Sequence, residues 1–315
     1  MDIETVCIIG GSGFVGRSIA DQACAAGHRV RVVTRGRLRA RHLTVLPTLE
    51  VTVADVNDDA GLARALEGMD AVINLAGILA PRRRASFESV HVDLPRRIGQ
   101  AAHKAGVRRF LHMSALGAST NGPSEYLRTK GEGENAVRSG PGECAYTIFK
   151  PSVIFGEHDN FLNLFASLAR ISPVIPLAGA RARFQPIWVE DVARCFVGAL
   201  GDPRTFGQAY ELCGPRAYSL EELMRFVVDT LGLRRKIVAL PWALAQMQAF
   251  TFEHLPGKLL TRDNLRSMSV DSVCSGPFPA VFGFAPSALE AVVPEYLAAS
   301  TTRARYVQYR HHAGR

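Results

Sequence analysis

The sequence predicts an α/β fold, a doubly wound parallel sheet with a smaller C-terminal α/β lobe. Three observations predict it. Short β-rich runs alternate with helical stretches through the first half of the chain. A glycine-rich turn, GGSGFVG (10–16), joins the first such run to the first helical stretch. After Pro151 the rhythm changes, and proline and glycine become frequent.

The elements follow in order. VCIIG (6–10) is a first strand, and Phe14 to Ala26 reads as a helix. RVRVVT (29–34) and LEVTVADV (49–56) are a second and third strand. A short helix begins over Leu62 to Leu66, and DAVINLAG (70–77) is a fourth strand. Residues 88–105 are helical, RRFLHMSA (108–115) is a fifth strand, residues 124–139 are helical, and AYTIFKPS (145–152) is a sixth strand. Right-handed crossovers between such strands place ligands at their C-terminal ends. The expected organisation is a nucleotide-binding domain over 1–152 and a lobe over 153–300, part of which returns to the sheet. A basic tail, 301–315, is expected to be solvated and frayed. There is no internal repeat. PWALAQMQAFTF (241–252) reads as a lobe helix whose Trp242, Met247 and Phe250 face either core, substrate or membrane.

Composition narrows the class. Of 315 residues, 47% are hydrophobic and 21% charged, values of a globular chain rather than a disordered or fibrous one. Lys+Arg 37 against Asp+Glu 29 gives a net charge of +8, which suits anionic partners. The six cysteines, Cys7, Cys24, Cys144, Cys195, Cys213 and Cys274, contain no CxxC pair, so no metal site is expected. Most lie in apolar runs, which suggests reduced buried thiols and a reducing compartment. No signal-peptide pattern and no apolar run of spanning length is present, so a cytoplasmic location is expected. Basic stretches at 35–42 and 82–84 raise nucleic-acid binding, but they lack an RNA-binding module or interleaved aromatics, and this reading ranks last.

Gly10, Gly13 and Gly16 sit three apart between strand and helix. The first suits a tight turn, the second a close backbone approach to pyrophosphate, and the third close packing of helix on strand. The helix N-terminus then offers free N–H groups to phosphate. This is the signature of a Rossmann dinucleotide site. An acidic residue ending the second strand would bond the ribose 2′-OH of NAD. That strand ends instead in Thr34-Arg35, with Arg37, Arg39 and Arg41 following. Arginine forks suit a 2′-phosphate, so NADP(H) is the expected cofactor, with Arg35 the main reader. Asp55 is placed to accept from the adenine amino group.

GGSGFVG, ADV (54–56), NLAG (74–77), MSA (113–115), YLRTK (126–130), KPSVIFG (150–156) and QPIWVEDVA (185–193) occur in order along most of the chain. Together they resemble the short-chain dehydrogenase/reductase superfamily, in its extended or atypical, epimerase/dehydratase-type branch. HMSALGAS, EHDNFLNLF (157–165), ARFQPIWVEDVA and YELCGP (210–215) resemble, more narrowly, bacterial relatives of the NADPH-binding accessory subunit of respiratory complex I. The resemblance implies catalytic roles for Tyr126, Lys130 and Ser114. It implies a cofactor set of Gly10, Ser12, Gly13, Phe14, Val15, Gly16, Arg35, Asp55, Val56, Leu75, Ala76, Gly77, Lys130, Pro151 and Val153.

Two tyrosine–lysine pairs compete for the role of proton relay. Tyr126 and Lys130 fall on a helix, where residues four apart share a face. Tyr146 and Lys150, in YTIFK, fall on a strand, where four residues span roughly 13 Å. The second pair is therefore a decoy. In the first, Lys130 is expected to lower the phenol from its usual pKa near 10, letting Tyr126 exchange a proton with a carbonyl oxygen that Ser114 holds. Gly131 and Gly133 follow the lysine, and each costs about 1 kcal/mol in a helix interior, so a loose or broken helix is expected there. The expected activity is NADP(H)-dependent reduction or oxidation of an unidentified apolar carbonyl, quinone-like or isoprenoid substrate. The rival expectation is a non-catalytic NADPH-binding subunit of a respiratory membrane complex. The charge suggests peripheral association with an anionic membrane or such a complex, on the cytoplasmic face of the inner membrane.

Overall fold

The structure is a computed structural model that describes residues 1–81, 85–140, 144–254 and 260–297. The basic tail 301–315 and the arginines at 82–84 lie outside the described residues. In chain order the first elements are β1 (Thr5–Ile9), α1 (Phe14–Ala25), β2 (Arg29–Thr34), β3 (Leu49–Val53), α2 (Asp59–Leu66), β4 (Ala71–Asn74), α3 (Leu94–Lys104), β5 (Arg109–Met113), α4 (Glu125–Arg138) and β6 (Ala145–Pro151). There follow β7 (Ile154–Phe155), α5 (Leu162–Ile171), β8 (Val174–Leu177), β9 (Arg183–Phe184), β10 (Ile187–Trp188), α6 (Val189–Ala199) and β11 (Gln208–Leu212). The last are β12 (Tyr218–Ser219), α7 (Leu220–Thr230), β13 (Lys236–Ala239), α8 (Trp242–His254), α9 (Arg262–Ser267) and α10 (Leu289–Leu297).

One compact unit comprises Met1–Pro151, Val189–Leu212 and Pro279–Phe284. Its seven strands are ordered β11-β6-β5-β4-β1-β2-β3. Every pairing is parallel. Helices cover the sheet, so the strands read as continuous apolar runs, and all of β1 is buried. The order reverses between β1 and β4, where Cys7 is paired with both Arg31 and Val72. That reversal opens a crevice at the C-terminal strand ends, the usual ligand position in such sheets. One side of the sheet is filled by Leu62, Leu66, Ile98, Val107 and Ile148.

Arg109 anchors the far end of this unit. It is fully buried on β5, and its guanidinium donates to the carbonyls of Ala145 (2.9 Å) and Ala199 (2.9 Å) and to the hydroxyls of Thr147 (2.6 Å) and Thr205 (2.8 Å). Four positions, two on β6, one at the end of α6 and one in the loop after it, are thereby tied by one side chain.

The other unit comprises Ser152–Trp188, Cys213–Phe278 and the chain from Ala285. Its core joins Phe155, Leu162, Phe165, Leu223, Met224 and Val227. Its strands pair in twos, β10 with β7, β12 with β9 and β13 with β8. Cys213 and Cys274 form a disulfide with Cα atoms 6.0 Å apart, which corrects the expectation of reduced buried thiols for this pair. The reason is tertiary. Gln185 donates from Nε2 to the Gly214 carbonyl (2.7 Å) and accepts at Oε1 from the Cys274 amide (3.0 Å), so one side chain holds both cysteine segments. Cys7, Cys24, Cys144 and Cys195 are free, and burial raises each of these thiols above its ordinary value.

Candidate functional site

The glycine turn is shaped by backbone contact. Gly10 adopts φ +85°, a conformation that side chains disfavour. The Gly13 amide donates to the Gly10 carbonyl at 3.0 Å, closing the turn. A Cβ on Gly16 would lie 2.5 Å from Gly11 Cα and 2.6 Å from the Gly10 oxygen, so only glycine lets α1 sit against the turn. A Cβ on Gly10 would lie 3.1–3.2 Å from Leu75 and Ala76 backbone atoms, which places the loop after β4 beside the turn. Gly13 is the exposed N-cap of α1 and no side chain caps it, so the first amides of the helix stay open to an anion. This cradle fits a dinucleotide pyrophosphate.

Arg35 is exposed immediately after β2. The Thr34 hydroxyl accepts from the Gly36 amide (3.3 Å) and fixes the turn that carries it. Asp55 stands two residues past the end of β3 rather than within it, because β3 stops at Val53. Its carboxylate accepts from the Asn57 backbone amide (3.0 Å) and side-chain amide (2.8 Å). The backbone amide holds it below the usual carboxylate range, and the charge of Arg35 acts in the same direction.

The helix that carries Tyr126 and Lys130 is α4, and it runs unbroken from Glu125 to Arg138. The Ser124 hydroxyl caps it by accepting from the Leu127 amide at 3.1 Å. The expectation of a loose helix at Gly131 and Gly133 is corrected, and the reason is close packing. A Cβ on Gly131 would lie 2.6 Å from the Ser119 backbone, and one on Gly133 would lie 2.0 Å from the His91 carbonyl oxygen. His91 belongs to a π-helical turn, Ser89–Asp93, that leads into α3. The glycines thus let two other chain segments reach the α4 backbone.

Lys130 is buried, and its Nζ donates to the Met113 carbonyl at the end of β5 (3.0 Å). A Cβ on Gly77 would lie 3.4 Å from that Nζ and 3.9 Å from His91 Nε2. The structure therefore brings Lys130 to the loop after β4 that holds Leu75, Ala76 and Gly77. Burial pulls the ammonium down to about 8, against an opposing pull from Glu134. Among the described residues, no carboxylate lies within ion-pairing distance of Nζ. Tyr126 packs edge-on against His91 and Phe87, with ring centroids 5.4 and 6.1 Å away. Burial pushes its phenol up to about 12. The expected lowering by Lys130 is not found, because desolvation governs this phenol.

Four polar residues outside the expected site complete the setting. His91 accepts at Nε2 from the Ile78 amide (3.1 Å), so its Nδ1 carries the proton toward the Thr129 hydroxyl (3.0 Å). Asn74 accepts from the Ala76 amide (3.1 Å), and its Nδ2 donates to His112 Nδ1 (3.2 Å). Among the described residues, His112 Nε2 is buried without a hydrogen-bond partner. Burial, followed by the charge of Lys130, pulls His91 down to about 2 and His112 down to about 3. Glu134 is the fourth. It accepts from the Ser114 hydroxyl (2.7 Å) and pairs with Lys150 (3.2 Å) and Arg138 (3.2 Å). Its spacing offered the one available signal, four residues past Lys130 on the same helix face.

Ser114 therefore directs its proton to Glu134 in this structure. Tyr146 and Lys150 lie on β6, and Lys150 serves the Glu134 pair. Pro151 ends β6 in the first unit, where its carbonyl accepts from Leu116 (2.9 Å), whereas Val153 falls in the second unit. Among the described residues no cluster of His, Cys, Asp or Glu could hold a metal ion, and no helix is long and apolar enough to cross a membrane.

Comparison with known proteins bears on this geometry. Residues 10–166 match the family described as NAD(P)H-binding. The chain is 35% identical over 226 residues to the mouse mitochondrial NADH dehydrogenase [ubiquinone] 1 alpha subcomplex subunit 9, an overlap of 70% of this chain but only 59% of that protein's length. It is 32% identical over 239 residues to the ceramide reductase of Caulobacter vibrioides, covering 75% of this chain and 73% of that one. Among solved structures, an NADPH-dependent quinone oxidoreductase from Escherichia coli, complexed with NADPH, shares the fold with a TM-score of 0.72 at 18% identity, over 93% of this chain and 98% of that one.

Proposed function

The chain belongs to the NAD(P)H-binding family, among relatives of the extended short-chain dehydrogenases/reductases, and from that premise we propose that it is an NADP(H)-dependent reductase of an apolar carbonyl, quinone-like or isoprenoid compound. The observation that carries the reading is the placement of Lys130, buried and without a carboxylate counter-ion among the described residues, one helical turn after Tyr126 and beside Gly77. A buried ammonium is costly unless a ligand uses it. Gly10, Gly13 and Gly16 would hold the pyrophosphate, Arg35 a 2′-phosphate, and Lys130 the ribose. When bound, the cofactor supplies a hydride. The protein's part is the proton. A phenol at about 12 carries its proton at neutral pH, although burial makes it a weaker acid than an exposed tyrosine, and Tyr126 would give that proton to the substrate oxygen as the arriving hydride makes the oxygen a stronger base, in the direction of reduction. Solvent then restores the phenol.

NADPH consumption with a panel of long-chain ketones and quinones tests this. Tyr126→Phe should lower kcat by about 10²–10⁴ with NADPH affinity unchanged, and Lys130→Ala should weaken both. Full turnover by Tyr126→Phe on a working substrate would remove the catalytic assignment. A second reading, a non-catalytic NADPH-binding subunit of a respiratory membrane complex, draws support from the commitment of the Ser114 proton to Glu134 and from the mouse relative. It predicts no turnover on any member of the panel, with NADPH binding still lost in Lys130→Ala.

A further inference from the structure

Helix α8 is packed the wrong way round for a helix on a water-facing surface. Its inward residues are small, with Ala245 and Ala249 buried against Ala178 and Leu265. Its large apolar residues point outward. Trp242 is 51% exposed, Leu244 46%, Met247 62% and Phe250 50%. A surface helix ordinarily turns its bulky apolar side chains to the core and its polar ones to water. A contiguous exposed apolar face marks an interaction site.

The surroundings indicate what covers it. Gln248 Nε2 donates to the Pro176 carbonyl (3.2 Å), which fixes α8 beside the small β8–β13 sheet. That sheet also exposes Val174 and Val238, and its register sets Lys236 opposite Val174. Between Asp229 and Glu253 the sequence has no acidic residue and three cations, Arg234, Arg235 and Lys236. Arg235 is used internally, donating to the Ala169 carbonyl (2.6 Å). Arg234 and Lys236 are exposed, and among the described residues neither has a carboxylate within ion-pairing distance. At the other end Arg262 lies over the Phe250 ring, 5.3 Å from its centroid, but its charge is paired with Glu253 (2.9 Å), so the unneutralised cations beside the face are Arg234 and Lys236. The face is thus apolar along α8 and flanked on the β13 side by two cations, Arg234 and Lys236, a combination that suits the headgroup region of an anionic membrane. A second copy docked on the same face would bring Arg234 and Lys236 toward their own duplicates, which like-charge repulsion opposes.

We propose that the outward face of α8, rimmed by Arg234 and Lys236, docks on the surface of an anionic lipid bilayer. The helix has 13 residues and so runs about 20 Å, too short to span but long enough to lie in the headgroup region. This docking holds whether or not the chain turns over a substrate, so it stands or falls apart from the reductase reading.

The test is flotation of the full-length chain with vesicles of equal parts phosphatidylglycerol and phosphatidylcholine, and with phosphatidylcholine alone. The chain should float with the anionic vesicles at low salt, and less at high salt. Met247→Glu with Phe250→Glu should reduce binding by on the order of tenfold or more with the melting temperature kept, since each removes a buried apolar anchor. In the unmutated chain, vesicles should shift the tryptophan emission to the blue, and Trp242→Phe should abolish the shift. No flotation with anionic vesicles overturns the proposal. So does flotation that the double substitution leaves intact, or a solution dimer that the double substitution dissociates.

Discussion

His91 and His112 give this site its acid sensitivity. Both are buried beside the charge of Lys130, and both are held far below the ordinary histidine value, at about 2 and about 3. A histidine depressed on folding binds its proton more readily in the unfolded chain. The stability it contributes is therefore complete above about 6.5 and is lost as the pH falls toward the folded values. Each histidine contributes a slope of at most about 1.4 kcal/mol per pH unit. Urea unfolding between pH 6.5 and pH ~5.5, above the ordinary carboxylate range, should show stability falling with a slope approaching two protons. His112→Asn should remove about half of that slope. A flat profile would mean that the two imidazoles are not held neutral. Neither histidine stood out in the sequence. Each looks like part of an ordinary run, and only the meeting of β4, β5 and the π-helical turn gives them a common neighbour.

At the scale of elements, α4 shows why propensity alone misreads a functional helix. Gly131 and Gly133 read as weak points, yet the helix is continuous, because each glycine is where another backbone touches it. Gly133→Ala must move the His91 carbonyl, and with it the π-helical turn and the contact with Tyr126. We expect a loss of about 3 kcal/mol or more in chemical denaturation. Gly198→Ala, on the exposed side of α6 with nothing within 4 Å of the added methyl, is the matched control. It should be neutral or stabilise by up to about 1 kcal/mol. Equal effects at the two positions would show that helix propensity, not contact, sets the role of Gly133. The long strands were legible, because a fully covered parallel sheet demands apolar runs. The two-residue strands β7, β9, β10 and β12 were not, since two residues carry no periodicity.

At the scale of the whole molecule, the first-half alternation and the glycine turn were enough to read a doubly wound sheet, and the comparisons with known proteins agree. The Cys213–Cys274 bond escaped notice because the pair is separated by 61 residues and is assembled by Gln185, a contact that no spacing rule encodes. The same limit applies to Ser114. Its position at the end of β5 was read correctly, but its partner Glu134 sits on α4 and turns the hydroxyl away from the expected task. For the choice of cofactor the sequence offers an expectation that a binding measurement decides. An arginine stands where an acid would select NAD, on a chain with an excess of cations.

The most direct measurement of this account is therefore calorimetric titration of NADPH and of NADH into the unmutated chain and into Arg35→Asp. The unmutated chain should bind NADPH more tightly than NADH, because the exposed guanidinium after β2 would pair with the 2′-phosphate, and Arg35→Asp should reverse the order. No binding of either dinucleotide, or equal affinities that Arg35→Asp leaves unchanged, would contradict it.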